Sequence, residues 1–149
     1  MDMQVNMRWA AKEDQDRLAD LRAVVLYDDL NRLGKYDDVN VRARFRKTFD
    51  PEHTWIIEVD GNEAGCVALK PKGEDAYLLE HFYIDPAYQG RRIGTHVLKT
   101  LLARAEVQGR IVHLNVLQGS PARRLYERFG FAVDSEDEVD VFMSVRSSE

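Results

Sequence analysis

Apolar side chains recur every fourth residue at Ile93, Val97, Leu101 and Ala105, with Leu98 and Leu102 beside them. That spacing predicts a helix buried along one face against a sheet. The apolar run Tyr77 to Ile84 just before it predicts a strand that ends at Asp85-Pro86. Nearer the start, residues 4 to 9 read as a short strand, and Leu18, Leu21 and Val25 mark the face of a helix from about Lys12 to Tyr27. Val41, Phe45 and Phe49 mark a second helix, separated from the first by the polar LNRLGKYDD with its Gly34. A segment of that kind is a natural lip on the substrate side of an enzyme.

HTWIIEVDGNEAGCVALKPKG predicts two apolar strands joined at DGNE, where Asp60-Gly61 or Gly61-Asn62 takes the positive φ angles of a tight hairpin turn. IVHLNV, residues 111 to 116, predicts a strand whose continuous apolar character suits an internal place in the sheet. Ser120 as N-cap and Pro121 at the first helical position open a last helix that Gly130 stops. In it Leu125 and Phe129, four apart, are expected to face the core, with Tyr126 one position round at the edge of a cleft. Phe131 to Val133 and Val139 to Val145 read as closing strands around an acidic loop, DSEDE. Hairpins mixed with strand-helix-strand units predict an α+β fold with a mixed, mostly antiparallel sheet flanked by helices.

Length and composition narrow the function. With 149 residues, 44% of them hydrophobic, the chain builds one core, so residues 1–149 are expected to form a single domain. The net charge of -5, without a basic run interleaved with aromatics, argues against nucleic acid and favours a cationic small substrate. Cys66 is the only cysteine, which excludes an intrachain disulfide, and AGCVAL reads as its buried apolar setting. No signal-peptide core and no apolar run of membrane-spanning length occurs, so a cytoplasmic protein with no membrane partner is expected. His53, His81, His96 and His113 are scattered, and no metal site is expected. Neither GxSxG nor GxxxxGK[ST] occurs.

The stretch with the most chemistry is the turn between the strand and the long helix. Gln89, Gly90, Arg91, Arg92, Ile93 and Gly94 sit where helix N–H groups lack carbonyl partners, so the turn suits a phosphate. The plainer reading is an ordinary strand-to-helix turn with solvated arginines.

IDPAYQGRRIG and LNVLQGSPARRLYERFGF, in that order, resemble the pyrophosphate loop and the late strand-helix of the GCN5-related N-acetyltransferase superfamily, a likeness extending from about Val5 to Val145. The resemblance implies the acyl-CoA N-acyltransferase fold and an acetyl-CoA cosubstrate, with transfer to a primary amine in a ternary complex. It implies cofactor contacts from Phe82, Tyr83 and Ile84, from Gln89, Gly90, Arg91, Arg92, Ile93, Gly94 and Thr95, and from Asn115 and Arg123. Two positions depart from the pattern. Arg92 stands where the first loop glycine usually falls, and it is expected to take helical angles. Gly119 stands where relatives often carry asparagine, and Asn115 lies one turn of strand too early to replace it.

Acetyl transfer needs a neutral amine, whereas aliphatic amines have a pKa near ~10, so a base is required. The resemblance implies a backbone N–H polarising the carbonyl and Tyr126 serving the departing sulfur; otherwise Tyr126 is a core ring with its hydroxyl at the surface. Glu80 is the first choice of base, against a solvent-facing or arginine-paired role, and His81 is the second. A regular strand points the two to opposite faces, and a bulge would alter that. A small-molecule amine is the expected acceptor. A peptide or protein amine, held by the loops 30 to 40 and 134 to 138, and a non-catalytic acyl-CoA-binding module are the alternatives. VFMSV is a candidate for pairing across a homodimer.

Overall fold

The computed structural model describes residues 3–148. It contains a seven-stranded sheet in the order β1-β2-β3-β4-β5-β7-β6 and four α-helices. The pairs β1/β2, β2/β3, β5/β7 and β6/β7 are antiparallel and β4/β5 is parallel, so the sheet is mixed and mostly antiparallel. The chain divides into two compact units, and β3 and β4 each pass through both.

The first unit comprises the chain up to Ala68 together with His81–Ile93. Its strands are β1 (Val5–Trp9), β2 (Thr54–Val59) and parts of β3 (Asn62–Lys72) and β4 (Ala76–Ile84). Asp60 at φ 50° and Gly61 at φ 82° make the hairpin turn predicted at DGNE, because two successive left-handed residues match the twist of the flanking strands. Helix α1 (Gln15–Arg32) runs beyond the expected Tyr27. No glycine or proline interrupts it before Gly34, whose φ of 71° ends the run. Helix α2 (Asp38–Thr48) is capped by Asp37, whose carboxylate accepts from Val39 N and Asn40 N at 3.0 and 2.7 Å; such a cap is worth about 1 kcal/mol. Leu18 and Ala19 of α1, Phe45 of α2, Ile56 of β2, Cys66 of β3 and Tyr83 of β4 form the unit's buried cluster.

The second unit comprises Leu69–Glu80 and the chain from Gly94 onward. Val97, Leu98 and Leu101 of α3 (Ile93–Leu102) are buried, as their spacing predicts. The helix stops short of the expected Ala105, which lies in a separate 3-10 turn, Ala105–Val107. The reason is at Leu102, whose carbonyl accepts from Gln108 Nε2 at 3.1 Å and Ser147 Oγ at 2.8 Å and is thereby capped. Strand β5 (Ile111–Leu117) is internal, between β4 and β7 (Asp140–Arg146), as expected. Its residues alternate in burial, so the apolar run is not buried throughout.

Helix α4 (Ala122–Arg128) begins after Pro121, one residue later than expected, with Ser120 Oγ still accepting from Ala122 N at 3.2 Å. The segment DSEDE is only partly a loop, since Asp134 to Glu136 belong to β6 (Ala132–Glu136). VFMSV lies in β7, whose two edges are taken by β5 and β6, so it has no edge left to pair across subunits.

Candidate active site

Strand β4 is not a regular strand. His81 sits at φ 50°, in the left-handed region, at a cost of about 1–2 kcal/mol for a residue with a Cβ. Side-chain contacts hold it there. Its Nε2 lies 2.6 Å from Thr48 Oγ1 and its Nδ1 lies 3.0 Å from Tyr83 Oη. The ring packs on Phe45 at 4.6 Å between centroids. The His81 carbonyl accepts from the Cys66 thiol at 3.3 Å. Arg22 completes the group, donating from Nε to Tyr83 Oη at 2.9 Å and from Nη1 to the Val41 carbonyl at 2.6 Å. The expectation for Tyr83 concerns cofactor contact; its side chain is buried in this group, which leaves its backbone for any such contact.

The neighbouring glycine is required by the packing. A Cβ on Gly65 would stand 2.2 Å from the Tyr83 carbonyl oxygen, so β3 approaches this stretch of β4 more closely than any other residue permits. Sequence reasoning passed over Gly65, although a lone glycine in an apolar strand signals such an approach. Arg22 and Thr48 carried no signal, because their roles depend on residues far away in the chain.

Glu80 is engaged with a lysine, where the sequence alternative named an arginine or solvent. Lys70 Nζ on β3 lies 2.5 Å from Glu80 Oε2, and both side chains are about four-fifths buried. Cys66 is fully buried, and burial pushes its thiol well above the ordinary range, in keeping with an inert apolar residue.

After β4 the chain turns through Pro86–Tyr88, a 3-10 turn capped by Asp85, whose carboxylate accepts from Ala87 N at 2.9 Å. Gln89 folds back to donate from Nε2 to the Ile84 carbonyl at 2.9 Å. Gly90 follows at φ 81°, and Arg92 at φ 62°. The helical angles expected for Arg92 are therefore incorrect: the arginine stands in the left-handed region that favours glycine. Arg92 immediately precedes the buried Ile93, the first residue of α3. Arg91 stacks its guanidinium over Tyr88 at 5.4 Å. Among the described residues, none makes a hydrogen bond, ion pair or ring contact with the exposed Arg92 side chain. Left-handed residues are half of the alternation from which anion-binding nests are built. The loop therefore fits a diphosphate through backbone N–H groups, guanidinium charge and the positive end of α3.

The remaining expected site residues lie in the second unit, apart from Phe82 and Ile84. Tyr126 is the buried residue of α4, at 7% exposure, with its ring edge-on to Phe131 at 5.7 Å. Leu125 and Phe129, expected to face the core, are only half-buried, because the short helix is rotated to bury Tyr126. Asn115 donates from Nδ2 to Asp140 Oδ1 at 3.0 Å, and Arg123 from Nε to Glu127 Oε2 at 3.4 Å. Thr95 is half-buried in the first turn of α3, and Phe82 and Ile84 are half-buried on β4. The β4/β5 ladder comprises Ala76–Ile111, Tyr77–Val112 and Leu78–His113, and neither strand is paired with the other beyond them.

Among the described residues no group of three or more His, Cys, Asp or Glu side chains is placed to hold a metal ion. No helix is long and apolar enough to cross a membrane.

The family model for the acetyltransferase (GNAT) domain matches residues 50–133. No curated protein matches the chain. Solved structures that resemble it include PaiA N-acetyltransferase from Thermoplasma acidophilum in complex with coenzyme A, at TM-score 0.76 and 19% identity over 96% of this chain and 99% of that one. An N-acetyltransferase from Staphylococcus aureus Mu50 matches at TM-score 0.68 and 22% identity, covering 94% and 100%. N-acetylglutamate synthase from Neisseria gonorrhoeae, complexed with coenzyme A and L-arginine, matches at 0.66 and 21%, covering 97% of this chain and 34% of that one. At these identities the likeness establishes the fold.

Proposed function

The chain belongs to the GNAT family of acetyltransferases, and from that premise we propose that residues 1–149 form one domain that transfers acetyl from acetyl-CoA to a small, cationic primary amine. The observation that carries the reading is the loop between β4 and α3. Its left-handed Gly90 and Arg92, its two arginines and the helix start behind them suit a diphosphate.

Acetyl-CoA, when bound, supplies a thioester whose carbonyl carbon the amine attacks, forming a C–N bond as the C–S bond breaks. The chain's own residues divide the rest. Backbone groups of Phe82 to Ile84 would hold the pantetheine arm, and residues 89 to 95 would hold the pyrophosphate. Tyr126 gives its phenolic proton to the departing sulfur. The proton lost by the amine needs an acceptor on β4, where Glu80 and His81 are adjacent. Glu80 must leave Lys70 to serve, and that exchange costs an ion pair in a largely buried position.

An acidic surface supports a basic peptide as a second acceptor. Residues 134 to 138 are exposed and carry Asp134, Glu136, Asp137 and Glu138, a charge pattern complementary to a cation of either size. The test is acetyl-CoA-dependent thiol release across polyamines, amino sugars, amino acids, aminoglycosides and basic peptides, against a blank without amine. Release with one amine class is expected. Coenzyme A binding with blank-level release throughout would replace the transferase with a non-catalytic binding module.

A further inference from the structure

The two edge strands of the sheet, β1 and β6, differ in how they are protected from further pairing. All of β6 is exposed, with Asp134 and Glu136 along it, and its register shifts between Val133 and Ser135. Charge and a bulge are the usual means of blocking an open edge. In β1 the register with β2 runs without a shift, from Val5 opposite Val59 to Trp9 opposite Trp55. Its sequence, VNMRW, holds no proline, lysine or acid. Its one charged residue, Arg8, is bound to Glu58 of β2 at 3.2 Å, with Asp14 and Glu63 each at 3.6 Å.

The ladder fixes which backbone groups of β1 face outward. Asp60 N donates to the Gln4 carbonyl and Ala10 N to the Thr54 carbonyl, both at 2.8 Å. Gln4 and Ala10 therefore turn their backbone groups toward β2, as do the alternate residues between them, Asn6 and Arg8. The N–H and C=O groups of Val5, Met7 and Trp9 face away from the sheet. Among the described residues, the only hydrogen bond to these outward groups is a long one, from Arg8 Nη1 to the Trp9 carbonyl at 3.5 Å. The side chains of the same three residues share one face. There Trp9, 53% exposed, stacks on the buried Trp55 at 4.4 Å between centroids.

We propose that β1 pairs antiparallel with β1 of a second copy of this chain, about a two-fold axis at Met7. In that register the strand is self-complementary. Val5 stands opposite Trp9 of the second copy, Met7 opposite Met7, and Trp9 opposite Val5, and each pair exchanges two hydrogen bonds between outward groups. The pairing of an aromatic with a β-branched side chain covers the exposed indole. On the other face Arg8 meets Asn6, a guanidinium against an amide oxygen, so no like charges are opposed. An axis at Arg8 would oppose two guanidinium groups, and one at Asn6 would set Trp9 against Met3, outside the strand. The same operation on β6 at its central Asp134 sets that carboxylate against itself. The pairing is independent of the transferase reading, and it moves the homodimer expected at VFMSV from β7 to β1.

The test is sedimentation velocity of the full chain over a concentration series, in which a dimer is expected. Met7→Pro removes an outward N–H that β2 does not use, a change an edge strand tolerates, and so breaks the pair on the axis. Met7→Lys sets two ammonium groups opposite each other. Both variants are expected to keep the wild-type circular dichroism spectrum and to raise the dimer dissociation constant by about tenfold or more. Met7→Cys places two Cα atoms about 5.5 Å apart across the axis, within disulfide range. Mild oxidation is therefore expected to join it into a covalent dimer, while Ser135→Cys on the protected edge stays uncoupled. Wild-type chain that sediments as a monomer throughout, or a dimer whose dissociation constant changes in neither folded variant, would overturn the proposal. A dimeric Met7→Cys chain that does not cross-link would overturn the axis at Met7.

Discussion

His81 and Arg92 both hold glycine's backbone angles without being glycine, and their surroundings are opposite. His81, at φ 50°, is tied through both ring nitrogens and its carbonyl, and its ring packs on Phe45. Arg92, at φ 62°, projects an exposed side chain that makes no hydrogen bond, ion pair or ring contact with any described residue. The strain at His81 is offset inside the protein by hydrogen bonds already made. At Arg92 no contact among the described residues offsets it, which supports the proposed reading of this loop as an anion site. One left-handed residue is tied into the packed interior, and the other stands in an exposed loop.

The comparison breaks most severely if the scaffold beneath His81 is displaced. Gly65→Ala puts a methyl group 2.2 Å from the Tyr83 carbonyl, which forces β3 away from β4. The variant is expected to lose about 3 kcal/mol in urea unfolding, and the hydrogen bonds that hold His81 are expected to break as β4 shifts. A loss within the error of the denaturation curve would show that β4 is not held where the His81 network needs it.

Tyr126→Phe leaves both left-handed residues untouched and separates chemistry from binding. It is expected to lower kcat by about 10-fold to 100-fold while the acetyl-CoA Kd stays constant. A kcat equal to wild type would reduce Tyr126 to the core ring that its packing on Phe131 also allows.

Much of this was legible in the chain, and the exceptions have a common cause. The Asp60-Gly61 hairpin and the apolar stripe Ile93, Val97 and Leu101 were readable because period and turn chemistry are local properties. The end of α3 was not, since Gln108 and Ser147 cap Leu102 from outside the helix. The kink at His81 was unreadable because it depends on Thr48 and Arg22, brought together only by folding. Arg92 resisted for a different reason: arginine is a good helix former, and the loop before Ile93 overrides that preference.

Asp37→Ala is the smaller control on the same scaffold. It removes the α2 cap, at the end of the helix opposite Thr48. Stability is expected to fall by about 1 kcal/mol, with kcat unchanged once the protein is folded. A large drop in kcat would mean that α2 shapes the site and does not merely support the fold.

The claim that the left-handed loop is kept for a ligand is tested most directly by calorimetric titration of acetyl-CoA into wild-type protein and Arg92→Gly, with thermal melts of both without ligand. The account predicts opposite signs: the glycine variant gains about 1 kcal/mol of stability by releasing the strained angle, and binds acetyl-CoA about tenfold more weakly for want of the guanidinium. Equal affinity in the two proteins, whatever the melts show, would contradict it.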